Sequence, residues 1–136
     1  MQNLEGHGVV VIIKQGDKIL LLKDSRELML GYWGPPHGRC EPTDNSEEET
    51  VVREVMEETN LKVKPIKKLW TTEADTKIKT VSFWEADLVG GEIKIDPSES
   101  SEYGWFTVDE ALKLKLYPGT KNFLELVKDG YGIEWA

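Results

Sequence analysis

Glu54, Glu57 and Glu58 lie close together and directly follow Arg53. Residues three and four apart are neighbours on a helix surface, so this spacing gathers the three acids on one face. Glu47 falls on the same side, nearer the start of the helix. Arg53 precedes Glu57 by one helical repeat and can also reach Glu54. Acids packed this closely repel one another, raise each other's pKa and weaken the helix. Two readings follow: a solvated acidic surface, or a seat for a divalent cation. Hard oxygen ligands suit magnesium or manganese, and magnesium is usually held by a few carboxylates together with substrate phosphates.

The helix that carries these acids is clearly punctuated. Ser46 is a favoured N-cap and Glu49 completes a capping-box pattern. Glu47 and Glu48 then occupy the first turn, where the helix dipole favours negative charge. Asn60 follows the last helical residue and tolerates the left-handed conformation that ends many helices. On the helical wheel Val51, Val52, Val55, Met56 and Thr59 form the opposite, apolar side.

The remaining elements read as strands around helices. Residues 8–14 and 18–23 are apolar runs separated by the turn signal Gln15-Gly16-Asp17, which predicts a hairpin. Residues 24–37 lack periodicity and read as a loop, with one helical turn near Arg26–Leu30. A strand over 61–73 bends at Pro65, a second covers 78–88, Gly90-Gly91 turns the chain, and Ile93–Ile95 and Tyr103–Phe106 add short strands. Thr107, with Glu110 as its capping-box partner, opens a helix over Val108–Leu114. Thr120 opens a last one over Lys121–Lys128, stopped by Gly130. Strands interleaved with helices without strict repetition imply an α/β (α+β) fold, a mixed sheet covered by helices.

The chain has 136 residues, enough for one domain over 1–136 with a sizeable core. Its 25 acids outnumber 17 bases for a net charge of −8, which argues against binding nucleic-acid backbones. Small phosphorylated ligands stay open, because a metal reverses the local sign. Cys40 is the single cysteine, so no internal disulfide forms and a reducing compartment fits. No apolar run approaches a membrane span and the N-terminus carries no signal-peptide pattern, so the expected location is the cytoplasm.

Gly38 through Leu61 resembles the Nudix box of the Nudix (MutT-type) pyrophosphohydrolases. Arg53-Glu54-Val55-Met56-Glu57-Glu58-Thr59-Asn60-Leu61 matches the second half of that pattern except for Asn60 in place of Gly. Trp33, Pro36, Gly38, Glu41 and Pro42 match its usual lead-in. The early hairpin resembles the family's opening, and Glu99, Glu102, Trp105 and Phe106 before a capped helix resemble its close. The likeness therefore covers nearly the whole chain. Three departures stand out. His37 replaces the first Gly of the usual pair, Asp44 stands where the box has Glu, and one extra residue separates Asp44 from Arg53. The extra residue falls in a loop, which absorbs insertions.

The resemblance implies a mixed β-sheet sandwiched between helices. It implies hydrolysis of a nucleoside diphosphate linked to another group, with a nucleoside triphosphate or related nucleotide as the default substrate, and a Mg2+ or Mn2+ cofactor. It assigns the metal to Glu54, Glu57 and Glu58, to the backbone carbonyl of His37, and to Glu102 from a distant loop. Arg53 orients a carboxylate by a charge-assisted hydrogen bond, Glu54 assists deprotonation of water, and Gly38 and Arg39 border the substrate phosphates. It also allows a homodimer. The alternative is a Nudix-like module that binds a nucleotide but turns it over weakly, motivated by the irregular box loop. Cys40 has no base indicated beside it. Lys23 and Arg26 either border the substrate pocket or are solvated.

Overall fold

The computed structural model describes residues 4–74 and 79–135. The expected hairpin is present: β1 (His7–Gln15) and β2 (Lys18–Asp24) pair at Lys14–Ile19 and Gln15–Lys18. Beyond that end the two strands part, and two short strands fill the opening. β3 (Trp33–Gly34) pairs with β2, and β4 (His37–Arg39) pairs with β1 through Val10–His37, Val9–Gly38 and Gly8–Arg39. The Val11 N–H donates to the Pro36 carbonyl at 2.8 Å. The expected loop over 24–37 is thus partly a wedge inside the sheet. Its only helical piece is a 3-10 turn at Glu27–Met29. Pro35 and Pro36 hide this pairing in the sequence, since neither has an N–H to give a ladder. The consequence for function is that His37 and Gly38 rest on a core strand.

On its other edge β1 runs parallel to β6 (Thr80–Gly90), from His7–Thr80 to Lys14–Asp87. β5 (Lys62–Glu73) closes that side antiparallel to β6, and its register shifts between Pro65 and Lys67, the expected bend. β7 (Ser100–Phe106) lies antiparallel on β2. The sheet is therefore mixed, ordered β3-β2-β1-β6-β5, with β4 on β1 and β7 on β2.

Alternation along β1 separates two cores. Val9, Val11 and Ile13 pack with Leu20, Leu22, Val51, Val55 and Trp84 under helix α1 (Glu47–Thr59). Ile12 packs with Ile19, Leu21, Phe83, Phe123 and Leu124 under α2 (Val108–Ala111) and α3 (Pro118–Lys128). Each such fully buried aliphatic or aromatic side chain contributes about 1.5–3 kcal/mol. A mixed sheet between helices is what the sequence predicts. Among the described residues no helix is long and apolar enough to cross a membrane.

Several expectations need correction. Residues 93–95 form no strand; Ile93 and Ile95 pack on the α1-side core and the Lys94 N–H donates to the Thr59 carbonyl at 2.9 Å. Their alternation reflects packing without a partner strand. α2 ends at Ala111, short of Leu114. α3 begins at Pro118, with Tyr117 preceding it, because Pro is pre-shaped for a first helical position; Thr120 is buried in the first turn and caps nothing. Ile78 lies outside the described residues. On α1, Ser46 accepts from the Glu49 N–H at 3.2 Å, yet the Glu49 carboxylate meets Asn45 and leaves the capping box half made. Val52 is 41% exposed, so the apolar side is narrower than the wheel suggests.

Candidate functional site

Arg53 is the hub of the acidic helix. Its Nε and Nη2 donate to the two oxygens of Asp44 at 3.1 and 2.8 Å. Nη2 also donates to the Arg39 carbonyl at 2.9 Å, and Nη1 donates to Glu54 at 2.9 Å and to Glu57 at 3.2 Å. Glu41 lies 3.4 Å from Nη1. The forked contact to Asp44 explains the irregular box loop: Asp is one methylene shorter than Glu, and the extra loop residue carries it up to the guanidinium. Arg53 hydrogen bonds outweigh burial and hold the Asp44 carboxyl at about 2. The Asp44 carboxylate also accepts from the Glu41 N–H and the Thr50 hydroxyl, which fixes the loop.

The acidic face is not simply solvated. Glu54 is largely buried, with its carboxylate set directly against Gly38 of β4: a Cβ built on Gly38 would lie 2.0 Å from the Glu54 carboxyl carbon, so a larger residue there would push that carboxylate out of place. Glu58 accepts from the His37 N–H at 2.9 Å. Burial pushes Glu58 up to about 8; the His37 bond opposes this, and Glu54 and Glu99 add repulsion. Burial also raises Glu54, against the pull of Arg53. Glu57 is more exposed, at 56%. Glu47, expected on this same side, is buried elsewhere, against His7, Lys68 and Trp84.

Glu58 forms one wall of a small cavity lined also by Asp24, Arg26, His37, Glu99 and Tyr117. His37 turns its ring edge-on to Tyr117 at 5.4 Å, with Nδ1 3.0 Å from the Pro35 carbonyl, and burial lowers its pKa. Arg26 clamps Asp24 through Nε at 3.0 Å and Nη2 at 2.7 Å, and the Tyr117 hydroxyl donates to the same carboxylate. Burial works against the Asp24 charge, but these bonds hold its carboxyl at about 2.

The structure brings Arg53, Glu54, Glu57, Glu58, Gly38 and His37 together, with the Arg39 backbone. It does not bring Glu102. That residue registers with Lys23 on β2 and pairs with it at 3.1 Å. The neighbours of Lys23 on its own face, Leu21 and Ile19, belong to the α3-side core, so Glu102 points away from α1. Glu99, from the same sequence pattern, lines the cavity instead. Lys23 is a surface partner, and Arg26 does border the cavity. Asp24 and Tyr117 carried no signal in the sequence, since their meeting depends on how α3 returns to β2. Burial pushes the Cys40 thiol up against an opposing Thr50 hydrogen bond, which disfavours the reactive thiolate.

Among the described residues, no three His, Cys, Asp or Glu side chains already converge on one point. The donor set nonetheless fits a hard divalent ion. One guanidinium faces Asp44, Glu54 and Glu57, and Glu58 adds a further carboxyl beside Glu54 with only a backbone donor. The available donors are oxygen, as magnesium and manganese prefer.

The family model for the NUDIX domain matches residues 5–127. The NAD-capped RNA hydrolase NudC of Pectobacterium atrosepticum is 32% identical over 112 residues, which cover 82% of this chain and 42% of that protein. The chain thus spans less than half the length of such curated relatives. Among solved structures, the MutT protein of Methanosarcina mazei is similar with a TM-score of 0.74 at 26% identity, over 91% of this chain and 93% of that one. An ADP-ribose pyrophosphatase from Streptococcus suis is similar with a TM-score of 0.71 at 28% identity, over 96% and 95%.

Proposed function

The chain belongs to the Nudix family of hydrolases, and from that premise we propose that it hydrolyses a nucleoside diphosphate linked to another group, by attack of water on a phosphorus, with magnesium or manganese. The observation that carries this reading is the Arg53 guanidinium, which holds Asp44, Glu54 and Glu57 together beside Glu58. It gathers these carboxylates beside Glu58, which itself lines the small cavity. Glu54, Glu57 and Glu58, with the His37 carbonyl, are the groups that would hold the metal. Bound there, the ion would neutralise phosphate oxygens and acidify a water.

The chain's own residues do the rest. Arg53 fixes the direction of Glu54 and Glu57 by charge-assisted hydrogen bonds. Glu54, which burial keeps more basic than an exposed acid, accepts the proton of the attacking water. Gly38 and Arg39 border the substrate phosphates from β4. The irregular box loop is the one motive for a weakly active binding module; the Asp44–Arg53 fork, which holds that loop in place, supports the hydrolase reading instead. A nucleoside triphosphate or related nucleotide is the first substrate to try.

The test is a panel of nucleoside triphosphates, a dinucleotide and ADP-ribose, with either metal, read for monophosphate and released phosphate. A nucleoside monophosphate product is expected. Absence of turnover across the panel with both metals would remove the enzymatic reading.

A further inference from the structure

Opposite Glu58, the small cavity carries a cation that the helix does not explain. Arg26 lies on the loop after β2. Its Nε and Nη2 are spent on Asp24, a side chain only 2% exposed, which the Tyr117 hydroxyl also holds. A buried carboxylate and a tyrosine thus fix one arginine, and that arginine lines the cavity. A planar guanidinium held this way is pre-organised to read oxygen acceptors. The cavity measures about 40 Å³, room for about three water molecules and far too small for a nucleobase. A terminal phosphoryl group presents three oxygens in that space. Glu58 and Glu99 repel an anion there, so a bound divalent ion must offset them.

Resting on the hydrolase reading, we propose that this cavity seats the terminal phosphoryl group of a nucleoside polyphosphate. Arg26, locked by Asp24 and Tyr117, is the positioning residue that favours a free terminal phosphate over a phosphate esterified to a second group. An ester adds bulk and removes a charged oxygen, and both count against it in so small a site.

The experiment compares a nucleoside triphosphate with the same compound methylated on its terminal phosphate, using the full chain and magnesium. The wild type should favour the free phosphate by about tenfold or more in kcat/KM, the scale of one charge-assisted hydrogen bond. Arg26→Lys and Arg26→Ala should erase that preference, chiefly by raising KM for the free triphosphate. Removing Arg26 strands the buried Asp24, so the Asp24→Asn, Arg26→Ala double variant serves as a second form that keeps the fold. A second readout is calorimetric binding of inorganic pyrophosphate with magnesium, expected to weaken about tenfold in the Arg26 variants. Equal losses on both nucleotides, or pyrophosphate binding unchanged by Arg26 substitution, overturn the inference. Arg26-dependent pyrophosphate binding without turnover of any triphosphate would leave the inference standing and remove the hydrolase reading instead.

Discussion

Glu47 and Glu58 are the same residue type near opposite ends of one helix, and their surroundings are opposite. Glu47 is 6% exposed, and donors meet both of its oxygens: Lys68 at 2.6 Å, the Trp84 indole at 3.0 Å and His7 at 3.0 Å. Burial works against its charge, but these donors hold it at about 2. Glu58 is buried with one backbone donor and two repelling acids, and it rises to about 8. A buried acid surrounded by its counter-charges ties a structure together. A buried acid without them costs stability, and a fold keeps such a group where a ligand supplies what is missing. The first acid pins the start of α1 to β1, β5 and β6. The second belongs to the reactive end.

The sharpest way to break this contrast is at the reactive end. Glu57→Gln keeps the shape and removes one of the acids that Arg53 steers. Turnover with magnesium should fall on the order of a hundredfold, while the melting temperature stays close to the wild type, because Glu57 is more than half exposed. Steady-state kinetics beside a thermal melt check this. Full activity in the folded variant would strip Glu57 of its assignment.

At the other end the effect should fall on stability alone. Glu47→Ala leaves the Trp84 N–H and the Lys68 ammonium without their acceptor, at a cost of about 2 kcal/mol. Turnover per folded molecule should not change. The pH dependence has a definite sign. The folded pKa of about 2 lies below the ordinary 4.5, so between these values the folded chain binds fewer protons than the unfolded one. The contribution is complete above about pH 4.5 and is lost as pH falls towards 2. Chemical denaturation of wild type and Glu47→Ala should give a stability gap that closes over that window. A gap independent of pH would mean that packing, not the ion pair, distinguishes Glu47.

Much of this was open to sequence reasoning, because the signals are local. The cap at Ser46, the left-handed Asn60 and the spacing of Glu54, Glu57 and Glu58 all act within one helix, where periodicity is informative. What escaped is relational. Glu47 shares a helical side with Glu54 and Glu58, but the start of α1 meets Lys68 and Trp84 while its later turns meet β4. The β3–β4 wedge was hidden because its prolines suggest a loop. The Asp24–Arg26–Tyr117 group joins residues 93 positions apart. Glu102 and Glu99 belong to one motif, and only the register of β7 on β2 says which of them reaches the cavity.

The smallest effect tests the junction just past the reactive end. Asn60 stands where the motif has Gly, and its φ of 64° is left-handed, a conformation that Gly adopts freely and Asn tolerates. Its N–H closes the helix on the Met56 carbonyl at 2.9 Å, and its side chain donates to the Glu92 carbonyl at 3.2 Å. Asn60→Gly relieves the backbone but loses that exposed side-chain bond and loosens the unfolded chain, so the net change should stay within about 0.5 kcal/mol. Asn60→Ala keeps the strain and loses the bond, and should cost about 1 kcal/mol. Both variants should turn over substrate at the wild-type rate, because the cap sets where α1 ends and not how Arg53 arranges the acids one turn earlier. Denaturant titration ranks the three proteins. A loss of activity in Asn60→Gly at unchanged stability would show that the helix end also aims Glu57 and Glu58, and the reactive region would then extend past the acids to the cap.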